Sequence, residues 1–167
     1  MSVTYIHYGH SEYHPEFVDA ERPYHITRSK PPVGLWGSRE DARYGWIDWC
    51  RDQSLDEDEE FGFGNFDTHF KFRLTSDANI LEIHSEDDIL PYTLPDPYYA
   101  GLKWPGCKTS TSDNLNFQKL VDDGYDGIEL FLSDDYSMHA GFFNLWDCDS
   151  IVVWNSNVIQ LIKEDIE

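Results

Sequence analysis

The chain has 167 residues, of which 32 are acidic and 12 are basic, so its formal net charge at pH 7 is −20. This charge excludes a broad basic surface, which is the usual footprint of a nucleic-acid-binding protein. A hydrophobic share of 40% and an aromatic share of 16% exclude an intrinsically disordered chain. We expect one domain spanning residues 1–167, because this length suits a single hydrophobic core.

The sequence predicts a cytoplasmic protein without a membrane anchor. It contains no run of about 18 apolar residues, which a membrane-spanning helix requires. Residues 1–5 lack the basic and apolar regions of a signal peptide. The three cysteines, Cys50, Cys107 and Cys148, show no CxxC spacing, which favours buried free thiols over disulfides or a zinc site.

The first part of the chain predicts two strands and a helix. Residues 3–8 and 33–36 are rich in β-branched and aromatic side chains, which is typical of strands. Ser38, with Asp41 three residues later, predicts the N-cap of a helix that continues to residue 51.

The rest of the chain predicts further strands around one more helix. Residues 91–110 combine prolines with aromatic residues, which indicates an irregular lid or substrate loop. Asp113 predicts the start of a helix, and Gly124 predicts its end. Strands are expected at residues 68–74, 79–83, 125–132, 151–154 and 158–162. The fold class predicted by this order is α+β with a largely antiparallel core.

Acidic residues are distributed along the whole chain, with runs at residues 56–60, 86–88, 122–123, 134–135 and 164–165. One interpretation is a solvated surface that keeps the protein soluble. The other is a surface that mimics the phosphates of DNA or binds a basic protein partner. The sequence leaves both interpretations open.

Three strand-like segments each carry an unusual polar or aromatic group. They read YIHY at residues 5–8, GLWGS at residues 34–38 and YDGIE at residues 125–129. In this order, the three segments resemble the small ADP-ribosyltransferase domains of bacterial or phage type. Together they extend over most of the chain, although each motif is short.

The resemblance implies an enzyme that cleaves NAD and transfers ADP-ribose to a protein or nucleic-acid acceptor, and conflict between phage and host is one setting that it implies. It also implies two short, roughly orthogonal sheets that frame an NAD cleft. The expected location of the protein is the cytoplasm, which would be that of the host if a phage encodes the chain. NAD is then a substrate, and we predict no metal site.

The family's functional positions can be carried over onto this sequence. Glu129 would be the catalytic acid, and His7 would hold the adenosine ribose. The full set of predicted NAD-binding residues is His7, Tyr8, Gly34, Leu35, Trp36 and Ser38, with Arg39, Trp46 and His139 as secondary candidates.

The sequence departs from the family pattern at three places. Trp36 stands where many members have Tyr, and His10 follows Gly9 where Thr or Ser is usual. The usual Glu-x-Glu or Gln-x-Glu pair is absent, because Gly127 lies two residues before Glu129.

The chemistry of these residue types fits the implied reaction. Losing nicotinamide leaves positive charge on the ribose carbon, which a nearby carboxylate such as Glu129 stabilises. Trp36 can stack on a planar ring, and Ser38 can hydrogen-bond a ribose or an amide. The cations Arg22, Arg28, Lys30, Arg39 and Arg43 can bind the pyrophosphate.

Each of these residues also has a structural interpretation. Glu129 can be an outward-facing strand carboxylate, His7 a hydrogen-bonded structural histidine, and Trp36 a core residue. His7, His10 and His14 also suggest a metal site, which the strand pattern around His7 disfavours.

Two other functions remain open at this point. The first is a non-enzymatic acidic inhibitor or DNA mimic that binds a basic protein without needing His7 or Glu129. The second is an NAD glycohydrolase, in which water replaces the acceptor after the same cleavage of NAD.

Overall fold

The computed structural model describes residues 2–18, 28–53, 66–99 and 101–163. Its main feature is a mixed seven-stranded sheet with the strand order β4-β7-β8-β2-β1-β3-β9. Two further strands, β5 and β6, pair as a small second sheet. The strands are β1 (Tyr5–Tyr8), β2 (Leu35–Arg39), β3 (His69–Leu74), β4 (Ile80–Ile83), β5 (Thr93–Leu94), β6 (Asn114–Leu115), β7 (Gly127–Leu130), β8 (Ser150–Val153) and β9 (Ile159–Ile162).

The described helices are few and short, and they accompany the mixed sheet. This combination confirms the predicted α+β class. They are α1 (Trp46–Asp52), α2 (Glu86–Ile89) and α3 (Phe117–Asp122), with 3₁₀ turns at Pro15–Phe17, Leu90–Tyr92, Tyr136–Ala140 and Ser156–Val158. None of the helices in the described ranges is long and apolar enough to cross a membrane. Among the pairs of described strands, β4 and β7 run parallel and the others are antiparallel.

Strand β2 changes its partner halfway along its length. Its first half pairs with β8, where Trp36 lies opposite Val152. Its second half pairs with β1, where Ser38 lies opposite Ile6. The ladder between β1 and β2 therefore covers two residues of each strand and is not continued towards His7 and Trp36.

Each face of the sheet has its own apolar cluster, because successive strand residues point to opposite faces. On one face, Trp36, Ile128 and Val152 belong to a large cluster that includes residues of α2 and α3. On the other face, Tyr5 and Phe72 belong to a smaller cluster that also includes Leu35, Ile151 and Val153. The two faces therefore offer different surroundings to the polar side chains among them.

The structure corrects both predicted helix starts. Ser38 lies within β2, and α1 begins only at Trp46, where the carboxylate of Asp48 accepts a hydrogen bond from the amide of Gly45 at 2.9 Å. Asp113 lies before β6 and accepts from the amide of Ser110 at 2.9 Å. The cap of α3 is Asn116 instead. In both cases a strand or a turn occupies the residues that local cap signals assigned to a helix.

Other local predictions are confirmed. Gly124 ends α3 with a left-handed φ of 84°, a conformation that glycine adopts without steric cost. Of the proline-rich stretch at residues 91–110, residues 95–99 and 101–110 form turns and irregular backbone as expected, whereas residues 91–94 belong to a 3₁₀ turn and to β5, which corrects that end of the prediction. The sequence did not predict α2, which contains a single turn.

Candidate functional site

A pocket of about 550 Å³ lies where β2 leaves β1 and joins β8. Its walls come from the end of β1, residues 30–32, β2, the start of α1 and the segment that leads into β8. This volume is in the range of about 300–1,000 Å³ that is typical of small-molecule sites. The lining residues are Ile6, His7, Tyr8, Lys30, Pro31, Pro32, Trp36, Gly37, Ser38, Trp46, Trp146, Asp147, Cys148 and Ser150.

His7 is held in the pocket wall by two hydrogen bonds. Its Nδ1 lies 2.7 Å from the carbonyl oxygen of Trp36, and its Nε2 lies 3.0 Å from Nδ1 of His10. Because a carbonyl oxygen only accepts, Nδ1 carries the hydrogen and Nε2 of the neutral ring is an acceptor. Burial lowers the pKa of His7 from its ordinary value of 6.5. The ring is therefore neutral at neutral pH.

Three tryptophans shape the apolar part of the pocket. The rings of Trp36 and Trp146 lie 4.7 Å apart, and Trp46, at the start of α1, also lines the pocket. The indole nitrogen of Trp146 donates to the carbonyl oxygen of Ser29 at 3.2 Å, which ties the segment carrying Lys30 to this wall. The Lys30 ammonium lies 5.5 Å from the centre of the Trp36 ring. The pocket thus combines flat aromatic surfaces with one positive charge.

Ser38 joins three elements at the base of the pocket. Its hydroxyl donates to the carbonyl oxygen of Asp149 at 3.0 Å and accepts from the amide of Trp46 at 3.2 Å. Ser38 is thus not the N-cap of α1 in sequence, but from β2 its hydroxyl bonds the amide of the first residue of α1. With both interactions made, Ser38 fixes the pocket wall.

Asp147 is the acidic side chain that lines this pocket, and sequence reasoning missed it. Within the described parts of the chain, its carboxylate forms no hydrogen bond or ion pair. Asp149, two residues later, differs because its two carboxylate oxygens accept from the amide and hydroxyl of Ser133 at 2.7 and 2.6 Å. Asp149 is therefore structural, whereas Asp147 is available to a ligand.

Glu129 points to the opposite face of the sheet from Trp36, contrary to the predicted convergence of these two residues. It pairs with Ile151, which in turn pairs with Gly37. Cross-strand partners share a face, and Trp36 and Ser38 flank Gly37, so these two residues point to the opposite face. The described pocket lining accordingly lacks Glu129.

Glu129 is a buried structural carboxylate, exposed by only 3%. Arg39 donates to its two oxygens at 2.6 and 2.8 Å, and the Tyr5 hydroxyl donates at 3.1 Å. Hydrogen bonding to Glu129 raises the pKa of Arg39, and burial next to Glu129 raises the pKa of Tyr5. The Arg39 guanidinium also lies 4.8 Å from the Phe131 ring centre. This arrangement satisfies the Glu129 charge and leaves Arg39 outside the pocket.

The remaining predicted site residues separate into two groups. Tyr8 and Trp46 line the pocket with His7, Trp36 and Ser38. Gly34, Leu35 and His139 do not: a Cβ on Gly34 would lie 2.7 Å from Val152, Leu35 packs in the smaller apolar cluster, and His139 stacks on Tyr136 with ring centres 5.4 Å apart.

Of the predicted cations, Lys30 reaches the pocket and Arg39 does not. Arg28 and Arg43 are exposed. Arg22 lies outside the described residues.

The cysteines are free, with Cys50 and Cys148 buried and Cys107 partly exposed. Burial raises the pKa of Cys148 to about 11, so its thiol stays protonated and is a poor nucleophile at neutral pH although it lines the pocket. In the described ranges, no group of three or more His, Cys, Asp or Glu side chains is placed to hold a metal ion. The pocket therefore offers aromatic, imidazole, ammonium and carboxylate groups.

No protein-family model, no curated protein and no solved structure matches the chain.

Proposed function

We propose that the protein binds NAD in the aromatic pocket and transfers ADP-ribose to a macromolecular acceptor. The observation that carries this proposal is the presence of His7, Trp36 and Asp147 in one pocket between β1, β2 and β8. Two of these residues belong to motifs that resemble the ADP-ribosyltransferases. The third supplies the carboxylate that the reaction needs, in place of Glu129.

The sheet supports the proposed ADP-ribosyltransferase architecture. Because β2 changes partner, the strands form two groups of four that share it: β4-β7-β8-β2 and β2-β1-β3-β9. We assign these groups to the two sheets that the resemblance implies. The pocket at their junction takes the position of the NAD cleft.

The pocket has a suitable contact for each chemical part of NAD. Trp36 and Trp46 offer flat surfaces on which a nicotinamide or adenine ring can stack. The Lys30 ammonium carries the charge needed to bind the pyrophosphate. Nε2 of His7, an acceptor in the neutral ring, takes a hydrogen bond from a ribose hydroxyl once His10 is displaced.

We assign the acid–base role to Asp147. Cleavage breaks the bond between ribose C1′ and the nicotinamide nitrogen, and the electron pair leaves with the neutral nicotinamide. The carboxylate of Asp147 stabilises the positive charge that develops on the ribose. A lone pair of the acceptor then forms the new bond to C1′, and the proton of the acceptor passes to Asp147.

The test measures NAD cleavage and transfer together. Wild-type protein and the Asp147→Asn variant are incubated with NAD labelled in its adenylate half and a cell lysate, while free nicotinamide and label on macromolecules are followed. Asp122→Asn is the matched control, because the Asp122 carboxylate is exposed on α3 and its bond is to Gln118. We expect the Asp147 variant to release nicotinamide about 10²–10⁴ times more slowly, and the control to match wild type.

The fate of the label separates the remaining chemistries. Label that resists nuclease and disappears on proteolysis indicates a protein acceptor, and the reverse pattern indicates a nucleic acid. Nicotinamide release without retained label indicates an NAD glycohydrolase. Folded wild-type protein that neither binds nor cleaves NAD would contradict the proposal, as would full activity of Asp147→Asn.

A further inference from the structure

Four large apolar side chains project into solvent between β5 and β6. The exposed fractions are 89% for Tyr98, 55% for Tyr99, 65% for Leu102 and 66% for Trp104. We call these four residues the aromatic loop. Tyrosine and tryptophan are costly to expose and are enriched at protein interfaces, so their grouping in one short segment indicates a binding surface.

The backbone of the aromatic loop is held by local hydrogen bonds. The Asp96 carboxylate accepts from the amides of Tyr98 and Tyr99 at 2.8 and 3.2 Å. A turn follows in which the amide of Leu102 donates to the carbonyl oxygen of Tyr99 at 3.0 Å. Another turn bonds the amide of Cys107 to the carbonyl oxygen of Trp104, also at 3.0 Å. The loop is thus shaped before any partner binds, which lowers the entropic cost of association.

Both ends of the loop are fixed to the rest of the protein. On one side, β5 pairs with β6 through Thr93 and Leu115. On the other side, the buried Glu86 carboxylate accepts from the amides of Lys108 and Thr109 at 2.5 and 3.2 Å. The four apolar side chains therefore stay exposed on a rigid base, and they contribute little to the core.

We propose that the aromatic loop docks into an apolar groove on a protein partner whose surrounding surface is basic. Charge selects this partner. The chain carries a net charge of −20, which repels a second copy of itself, nucleic acids and anionic membranes. Near the loop, the two lysines Lys103 and Lys108 are outnumbered by the carboxylates of Asp96, Glu86 and Asp87, and Lys108 pairs with Asp87.

The two features divide the work of binding. The projecting rings of Tyr98 and Trp104 supply apolar area that is buried on contact, as interface anchors do. The acidic surface accelerates association with a basic partner. Added salt screens the charges and reduces this acceleration. This interaction needs neither NAD nor the aromatic pocket, so it extends beyond the proposed function.

The experiment uses a random peptide display library as the probe. Peptides are selected on the intact wild-type protein, and the most enriched one is synthesised and titrated by calorimetry without NAD. The Tyr98→Ala/Trp104→Ala double variant tests the loop. Leu161→Ala is the matched control, because Leu161 is a large apolar residue on β9 that is half exposed and distant in sequence.

We expect enriched peptides to combine Lys or Arg with apolar residues. The double variant should bind at least about tenfold more weakly, the control should bind like wild type, and added salt should weaken binding. Equal thermal unfolding midpoints for the three proteins would show that the variants are folded, as their exposure predicts.

Several results would overturn this inference. The first is a selection that enriches no peptide, and the second is enrichment of peptides without basic residues. The third is a double variant that binds the enriched peptide as tightly as the wild type does. Loop-dependent binding to single-stranded DNA or to phosphatidylcholine and phosphatidylserine vesicles, or a loop-dependent dimer in sedimentation, would assign the surface to another occupant. Because NAD is absent throughout, a failure here leaves the NAD proposal unaffected.

Discussion

The two faces of the sheet around β2 place carboxylates in opposite environments, one fully hydrogen-bonded and one without partners among the described residues. On one face, Glu129 is buried and bonded to Arg39 and Tyr5. On the other, Asp147 lines a pocket with Trp36 and Ser38 and makes no ion pair or hydrogen bond with the described residues. A buried carboxylate with all its hydrogen bonds made contributes to the stability of the fold. A carboxylate that lines a pocket and has no partner among the described residues can act on a ligand.

The most severe loss of stability should come from the paired face. Glu129→Ala removes the buried carboxylate that bonds Arg39, and the Glu82 carboxylate at 3.8 Å is a longer and more exposed substitute. The loss should lower the free energy of unfolding by about 3 kcal/mol. Urea denaturation measures this change. Glu40→Ala is the control, because Glu40 forms an exposed ion pair with Lys71 at 2.9 Å that should contribute less than about 1 kcal/mol. Equal effects of both substitutions would show that Glu129 is not a structural anchor.

A smaller effect is expected from the aromatic wall of the pocket face. Trp36→Ala removes a stacking surface, which should weaken NAD binding by about tenfold, in line with a stacking energy of about 1–3 kcal/mol. Calorimetric titration with NAD measures the affinity. Trp104→Ala provides the matched control, since Trp104 is exposed on the aromatic loop and absent from the pocket lining. If both tryptophan variants lost affinity equally, NAD would not bind where we place it.

Two histidines in different surroundings should titrate in opposite directions. Burial lowers the pKa of His7, whereas the hydrogen bond to Asp134 raises the pKa of His84 from the same ordinary value of 6.5. Stability contributed by His7 is thus present above pH 6.5 and lost as the pH falls below it. Stability contributed by His84 is present below pH 6.5 and lost as the pH rises through its raised pKa.

An NMR titration of the imidazole protons tests this pair directly. We expect His7 to titrate below pH 6.5 and His84 above it. The Asp134→Asn variant should return His84 towards 6.5 without moving His7, because the Asp134 carboxylate lies 2.7 Å from the His84 ring. Shifts in the same direction for both histidines would contradict the roles assigned to burial at His7 and to Asp134 at His84.

The strands could be predicted from sequence because their signals are local. Alternation placed β3 at residues 68–74 and an apolar run placed β4 at 79–83, close to the observed His69–Leu74 and Ile80–Ile83. The cap signals of Ser38 and Asp113 failed, because tertiary pairing draws these residues into or next to strands.

The site was harder to predict because it depends on strand order. Nothing local in the sequence shows that β8 lies between β2 and β7, and that neighbour decides which face Glu129 takes. One signal was present, because the Asp-Cys-Asp run at residues 147–149 ends two residues before the strand predicted at residues 151–154. Its meaning depends on β8 bordering β2.

The most direct test compares the two carboxylates in one assay. Nicotinamide release from NAD is measured for wild type, Asp147→Asn and Glu129→Gln, each normalised to the folded fraction at a temperature where all three are native. We predict that Asp147→Asn loses nearly all activity and that folded Glu129→Gln keeps most of it. Full activity of Asp147→Asn together with an inactive, folded Glu129→Gln would contradict the assignment and return the catalytic role to Glu129.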